Sequence, residues 1–451
     1  MSGKGDLTRG SIAKKLIFFV LPIFFSNVFQ QLYNTADSLI VGQFLGDKAL
    51  AAVSSSGNLI FMFVGFFNGV AMGAGVLIAR HYGAKDYRAV ERAIHTDVAF
   101  GLVTGAVLTV LGVVFTPTIL GWMGTPADVL PQSVSYFRFY FCGAVFTVMY
   151  NILVGILHAM GDSRHPLYYL IVASVVNVVL DLLLVGVCGF GVWSAALATT
   201  VSQGLSVLLC TLRLLRARGE VRFEIRKIGF HLPTLRAIIR YGLPSGVQNS
   251  VIGLANVVVQ SNINAFGSAA MAGCGSYSKI EGFAFLPVTC FAQGLATFVG
   301  QNLGAREYDR VKRGSAFGVV CSVLLAEVVG VCFYLFCPSL LGLFRPGTEA
   351  MQFGVMHCRT VCLFYCLLAF SHCAAGILRG AGKANVPMVV MLLFWCVLRV
   401  SYITVAVKYV PVLTTVSWAY PITWSCSGVI FIIYLLKADW IHAFDKEKSS
   451  V

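Results

Sequence analysis

Between Leu16 and Leu45 the chain runs for thirty residues with one charged side chain, Asp37. Such a run has no polar face to offer water, and it is longer than the roughly 20 apolar residues that cross a bilayer. It also exceeds the apolar region of a signal peptide and lacks a small-residue cleavage site, so it is expected to stay in the mature protein. Comparable stretches recur, and the pattern predicts spans near 12–44, 50–79, 94–117, 131–158, 165–187 and 191–213. A second six follow near 236–265, 269–300, 314–340, 352–378, 385–408 and 416–438. With 58% apolar and 12% charged residues in 451, neither a water-soluble domain nor a disordered chain is admissible. The fold class expected is an all-α polytopic membrane protein with twelve transmembrane helices.

The positive charges set an orientation. Of 33 Lys and Arg, 26 fall in loops on the side that holds both termini, three on the other (Lys48, Arg345, Lys408) and four within spans. By the positive-inside rule both termini are cytoplasmic, in a multi-pass protein of the cell (inner) membrane. The largest basic block joins spans six and seven: Arg213, Arg216, Arg218, Arg222, Arg226, Lys227, Arg236 and Arg240. A topogenic loop beside anionic headgroups accounts for it, and no nucleic-acid partner is expected. The 14 cysteines lie in or beside apolar stretches without a CxxC pair, so neither a disulfide framework nor a zinc site is expected. Cys358, Cys362 and Cys366, stacked at helical spacing, read as small packing residues.

The chain also repeats itself. Shifted by 221 residues, Ala79–Ala93 (ARHYGAKDYRAVERA) aligns with Gly300–Gly314 (GQNLGAREYDRVKRG), FTPTILG from Phe115 with FCPSLLG from Phe336, and GILHAMGDSRHP from Gly155 with GILRGAGKANVP from Gly376. One offset serving three separated segments predicts two homologous lobes, 1–220 and 221–451, linked by the basic loop at about 213–240. Six spans is an even number, so both lobes start from the cytoplasm and form a parallel repeat about an axis normal to the membrane. Two such lobes can rock about a central cavity and expose it to either side in turn, the geometry of a secondary transporter; a channel needs no such hinge.

The sequence resembles the multidrug and toxic compound extrusion (MATE) family over nearly its whole length. The resemblance is carried by Leu21-Pro22 and Leu243-Pro244 in spans one and seven, VGQFLG after Asp37, QNLGAREYDRVKRG from Gln301 and LRGAGKANVP from Leu378. It implies twelve helices in two lobes forming a V, and export of mostly cationic amphiphilic, drug-like compounds against sodium or protons. The chain looks more like the DinF-like branch than the NorM-like one, whose acids in spans seven and ten have no counterpart here.

Ionisable groups at mid-membrane cost about 2.5 to 3.5 kcal/mol on insertion scales, so each is a candidate for function. The acids are Asp37, Asp181, Glu281 and Glu327. Counting ~1.5 Å per residue from the outer span ends puts Asp37 and Asp181 roughly 10 Å deep, Thr199 about 12 Å and Asn177 about 15 Å. Asn177 and Asp181, four residues apart, share a helical face. Carboxylate, amide and hydroxyl oxygens in one layer suit a small hard cation, and paired carboxyls equally suit the loading and release of a proton. Hydrogen bonding that merely fixes helix packing is the alternative use of these groups. The resemblance implies the first: Asp37, Asn177, Asp181 and Thr199 match the family's first-lobe cation-site motif.

In the second lobe Glu281 and Arg399 read either as a structural ion pair or, for Glu281, as part of a substrate cavity. Lys279 is the other mid-span cation there. Arg138 and Arg359 occupy equivalent places near outer span ends and are expected to snorkel to headgroups. Candidate lining residues for a drug cavity are Phe29, Gln30, Tyr33, Asn34, Phe61, Met62, Gln248 and Asn249, apolar and aromatic with a few polar groups. RGAGKA around Lys383 lacks the spacing and the Ser or Thr of a phosphate loop, and no HExxH or GxSxG occurs, so no enzyme activity and no cofactor is expected. The function expected is a cation-coupled exporter, monomeric, with small molecules and the bilayer as partners. The rival is a flippase for a lipid-linked precursor, whose phosphates call for more mid-span cations than this chain has.

Overall fold

A bilayer offers the backbone no hydrogen-bond partners, so each apolar run must close its own N–H and C=O groups, and helices do this within one segment. The computed structural model describes residues 5–46, 49, 52–53, 57–122, 125, 129–217, 221–344 and 347–442, the side chains of 57–64 and 122 excepted. Lys48, Arg218, Arg345 and the side chains of Phe61 and Met62 lie outside the described residues. No strand occurs among the described residues.

Among the described residues twelve helical rods follow one another: α1 Ile12–Leu45, α2 Gly57–Gly83, α3 Tyr87–Trp122, α4 Leu130–Cys142 with Ala144–Ala159, α5 Arg164–Asp181, and α6 Trp193–Leu215. The second set is α7 Leu232–Asn264, α8 Ser268–Gly304, α9 Tyr308–Gly342, α10 Thr348–Val361 with Tyr365–Gly380, α11 Asn385–Met391 with Arg399–Tyr409, and α12 Leu413–Lys437. Among the described residues nine are long and apolar enough alone to cross a membrane, and ten when α4, bent by 47°, counts as one. α5 continues as a π-helical stretch, Leu182–Val187, and the two parts of α11 are joined by another, Leu392–Leu398.

The repeat extends to backbone dihedrals. Among the described residues, six of the eight left-handed residues come in pairs 221 apart: Gly46 and Gly267, Lys85 and Arg306, Gly161 and Gly382. Lys85 and Arg306, at φ 57° and 61°, end α2 and α8 against the usual preference for glycine there. The same turn chemistry has been kept twice.

Packing divides the chain into two compact units: Met1–Asp6 with Leu21–Gly246, and Leu7–Val20 with Val247–Val451. The boundaries fall inside α1 and α7, beside Pro22 and Pro244, where proline interrupts the helical hydrogen-bond ladder. The first part of α7 therefore packs in the first unit, with Ile238 and Tyr241 in the core built by Ile78, Ile94, Ile152 and Ile156. In the second unit, the backbone of Leu7 is held by Gln301 Oε1 at 3.1 Å and Arg310 Nε at 3.0 Å, and Arg310 Nη1 donates to the carbonyl of Gly10 at 2.6 Å.

The segment before α7 is held correspondingly in the first unit. Glu91 Oε1 accepts from the Arg222 amide at 2.7 Å, Thr96 Oγ1 accepts from the His231 amide at 3.3 Å, and Phe223 stacks on His95 at 5.2 Å. His95 Nε2 accepts from the Glu224 amide at 3.1 Å. Each first helix is thus anchored through the stretch preceding it. Substituting both Glu91 and His95 by Ala removes three of these four holds, and trypsin is expected to cut at Arg222, Arg226 or Lys227 several-fold faster than in wild type. Equal cleavage rates on a gel time course would contradict the anchoring.

Candidate functional site

In the first unit, α1 supplies Asp37 and α5 supplies Asn177 and Asp181. Asn177 and Asp181 are fully buried and Asp37 is 8% exposed. The two carboxyls are close enough to interact directly. Five of their polar atoms, Asp37 Oδ1, both oxygens of Asp181 and both amide atoms of Asn177, are enclosed without a hydrogen-bond partner among the described residues. A buried polar atom left unpaired costs about 1 to 3 kcal/mol, and more when charged, so this concentration of them is costly to keep.

Thr199 stands on α6, half-buried, with its hydroxyl donating to the Ala195 carbonyl at 3.1 Å. Its lone pairs stay available, but no contact ties it to the other three among the described residues. Asp181 is the last residue of α5 before the π-helical stretch. Such a widened turn changes which way the following side chains point and recurs at functional positions.

The structure adds residues that sequence reasoning missed. Tyr136, 4% exposed on α4, lies within electrostatic reach of both Asp37 and Asp181, and it stacks on Tyr140, centroids 6.3 Å apart. Tyr33, already named among the lining residues, stands one turn before Asp37 and accepts from Gln203 Nε2 at 3.4 Å. A four-residue Tyr spacing was the available signal, but aromatic residues in a membrane chain usually face lipid or core. Asp97 on α3 was also missed; it is 1% exposed, with Oδ1 unpartnered among the described residues.

The proposed lining residues divide between the units. Phe29, Gln30, Tyr33 and Asn34 belong to the first, where Tyr33 is buried against Tyr150 and Leu170 while Asn34 is exposed. Gln248, Asn249 and Glu281 belong to the second, where Gln248 is 2% exposed and donates to the Met391 sulfur at 2.9 Å.

The second unit holds its own polar cluster. Tyr277 donates to Glu281 Oε1 at 3.0 Å, and the Tyr277 and Tyr365 hydroxyls lie 2.7 Å apart. Arg399 donates to Thr423 and lies over the rings of Tyr420 and Trp395. Glu281 and Arg399, paired in the sequence reading, share this cluster but form no ion pair among the described residues, because each is committed to other partners. Lys279 lies over Phe344, Arg359 lies over Tyr334, Arg138 is exposed, and Glu327 keeps Oε2 unpartnered.

Two parallel six-helix repeats with unpaired polar groups buried at membrane depth define a polytopic membrane transporter. The chain belongs to the MatE family of multidrug and toxic compound extrusion transporters, whose pattern matches residues 22–183 and again 244–405, starting at Pro22 and Pro244. It is a non-enzymatic family. The probable multidrug resistance protein YoeA of Bacillus subtilis is 28% identical over 390 residues, 85% of this chain and 84% of that protein. A protein named FAD transporter from Shewanella oneidensis is 23% identical over 78% of each chain. A solved outward-facing multidrug resistance MATE transporter superposes with a TM-score of 0.91 at 23% identity, covering 99% of this chain and 100% of that one.

Proposed function

We propose that the protein is a secondary antiporter that exports small organic compounds, mostly cationic amphiphiles, coupled to inward flow of protons or sodium. The observation that carries the coupling is the set of five enclosed, unpartnered polar atoms on Asp37, Asn177 and Asp181. An anionic pair in low dielectric with no Lys or Arg beside it among the described residues needs a positive charge from elsewhere, and either coupling ion supplies one. A sodium ion would draw oxygens from the two carboxylates and the amide, with Thr199 as a further donor. A proton would instead sit on one carboxyl and bond to the other. Either way the site is occupied when the ion is present and carries net negative charge when it has left, a two-state element that can bias the scaffold.

The names of the bacterial relatives support drug-like substrates, and that of the Shewanella relative adds FAD to the compounds carried on this fold. The absence of acids from α7 supports the DinF-like branch. The basic loops support cytoplasmic termini in the cell membrane, with the chain acting as a monomer. The test is drug accumulation in reconstituted vesicles under separately imposed sodium and proton gradients. Accumulation is expected with one gradient and not the other; equal transport under both and under neither would exclude coupling.

A further inference from the structure

Arg399 lies in α11 at membrane depth and is 2% exposed. Its guanidinium has five N–H donors and holds its charge at any physiological pH. Nε and Nη2 both donate to one oxygen, Thr423 Oγ1, at 3.3 and 2.9 Å. That hydroxyl spends its own proton on the Ala419 carbonyl at 2.8 Å. A neutral acceptor therefore stands where one oxygen of a carboxylate would sit. Among the described residues the Nη1 end has no hydrogen-bond partner and no acid forms an ion pair with the guanidinium; Glu281 lies within electrostatic reach but accepts from Tyr277 at 3.0 Å and Tyr365 at 3.5 Å. The ring centres of Tyr420 and Trp395, 4.5 and 5.6 Å from the guanidinium carbon, offset part of the burial cost without neutralising it. Arg399 also follows directly on the π-helical stretch Leu392–Leu398, an irregularity of the kind that recurs at functional positions.

We propose that the second unit contains a recognition point for aromatic organic acids, in which Arg399 takes the carboxylate and Tyr420 with Trp395 receives the aromatic body. A carboxylate on the open Nη edge makes two charge-assisted hydrogen bonds and supplies a counter-charge in direct contact. Tyr420, half-buried, is the wall a ligand reaches first. The proposal deepens the export reading by naming a substrate class, and it is tested by equilibrium binding with no gradient, so it stands or falls apart from ion coupling.

The probes are three compounds with one aromatic body: pyrenebutyrate, its amide, and pyrenebutylamine, with binding read by energy transfer from tryptophan in lipid nanodiscs. Wild type is expected to bind the acid roughly tenfold or more tighter than the amide, and the amine no tighter than the amide. Arg399→Gln should bind acid and amide alike, while Arg399→Lys keeps part of the preference as a point charge without the fork. If Arg399→Gln does not fold, Thr423→Val decides: it frees the Nε edge and should raise the preference for the acid. Gly275→Ala, whose added Cβ meets nothing within 4 Å, should keep the wild-type preference. Equal wild-type affinity for acid and amide overturns the proposal. So does an undiminished preference in folded Arg399→Gln, or an unchanged one in Thr423→Val.

Discussion

Vesicles carrying the Asp181→Asn protein are expected to lose gradient-driven accumulation while the protein keeps its fold. One charge moving through about 100 mV releases about 2.3 kcal/mol, which sustains a concentration ratio of order 50 for a neutral substrate. Without coupling that ratio falls to about 1. Asp37→Asn should do the same, and the double variant no worse than either, because two groups that serve one ion fail as a unit. The substitution is nearly isosteric, and among the described residues neither oxygen of Asp181 has a hydrogen-bond partner to lose. A packing role therefore predicts a lowered thermal midpoint with transport retained, and a coupling role the reverse. Full accumulation in a folded Asp181→Asn protein would remove the site assignment.

The second large effect is on folding. In the first unit α2 meets the early part of α7 through glycines: a Cβ at Gly73 would strike the backbone of Gly242 and Tyr241, and one at Gly69 the backbone of Gly246 and Ser245. The obstructing atoms are main chain, so no rotamer change relieves the clash. Helices in a membrane gain little from a hydrophobic effect between them and depend on such close approach for dispersion contacts. Gly73→Val is expected to cost about 3 kcal/mol, the upper end for overpacking, and to lower the thermal midpoint in detergent measurably. Gly275, whose Cβ would meet nothing within 4 Å, is the control, and Gly275→Ala should be near neutral. Equal midpoints for Gly73→Val and wild type would show that the contact is not maintained.

Much of the scaffold was legible in the chain. The observed rods follow the predicted spans within a few residues at most ends, with α2, α3 and α9 starting or ending outside them and α4 broken at Gly143. A Cβ at Gly143 would collide with the Thr200 side chain of α6, a contact that hydropathy cannot register. The π-helical stretches in α5 and α11 were not foreseen either, since one extra residue in a turn leaves the apolar pattern unchanged. At the site, Asn177 and Asp181 were paired from their four-residue spacing because one helix carries both. Tyr136 was missed because it reaches the carboxyls from a third helix.

The sequence by itself determined the class, the number of spans, the parallel repeat and, Asp97 apart, the buried acids. These follow from short-range physics: a bilayer forces helices, and a duplicated chain repeats its turns, down to the left-handed Lys85 and Arg306. Only the tertiary structure decided that the first parts of α1 and α7 pack away from the helices that follow them in the chain. It also brought Asp37 to Asp181, turned the Thr199 hydroxyl back on its own helix, and kept Glu281 from Arg399. Each of these depends on how a helix is rotated about its own axis against its neighbours, and the spacing of residues along one helix carries no record of that rotation.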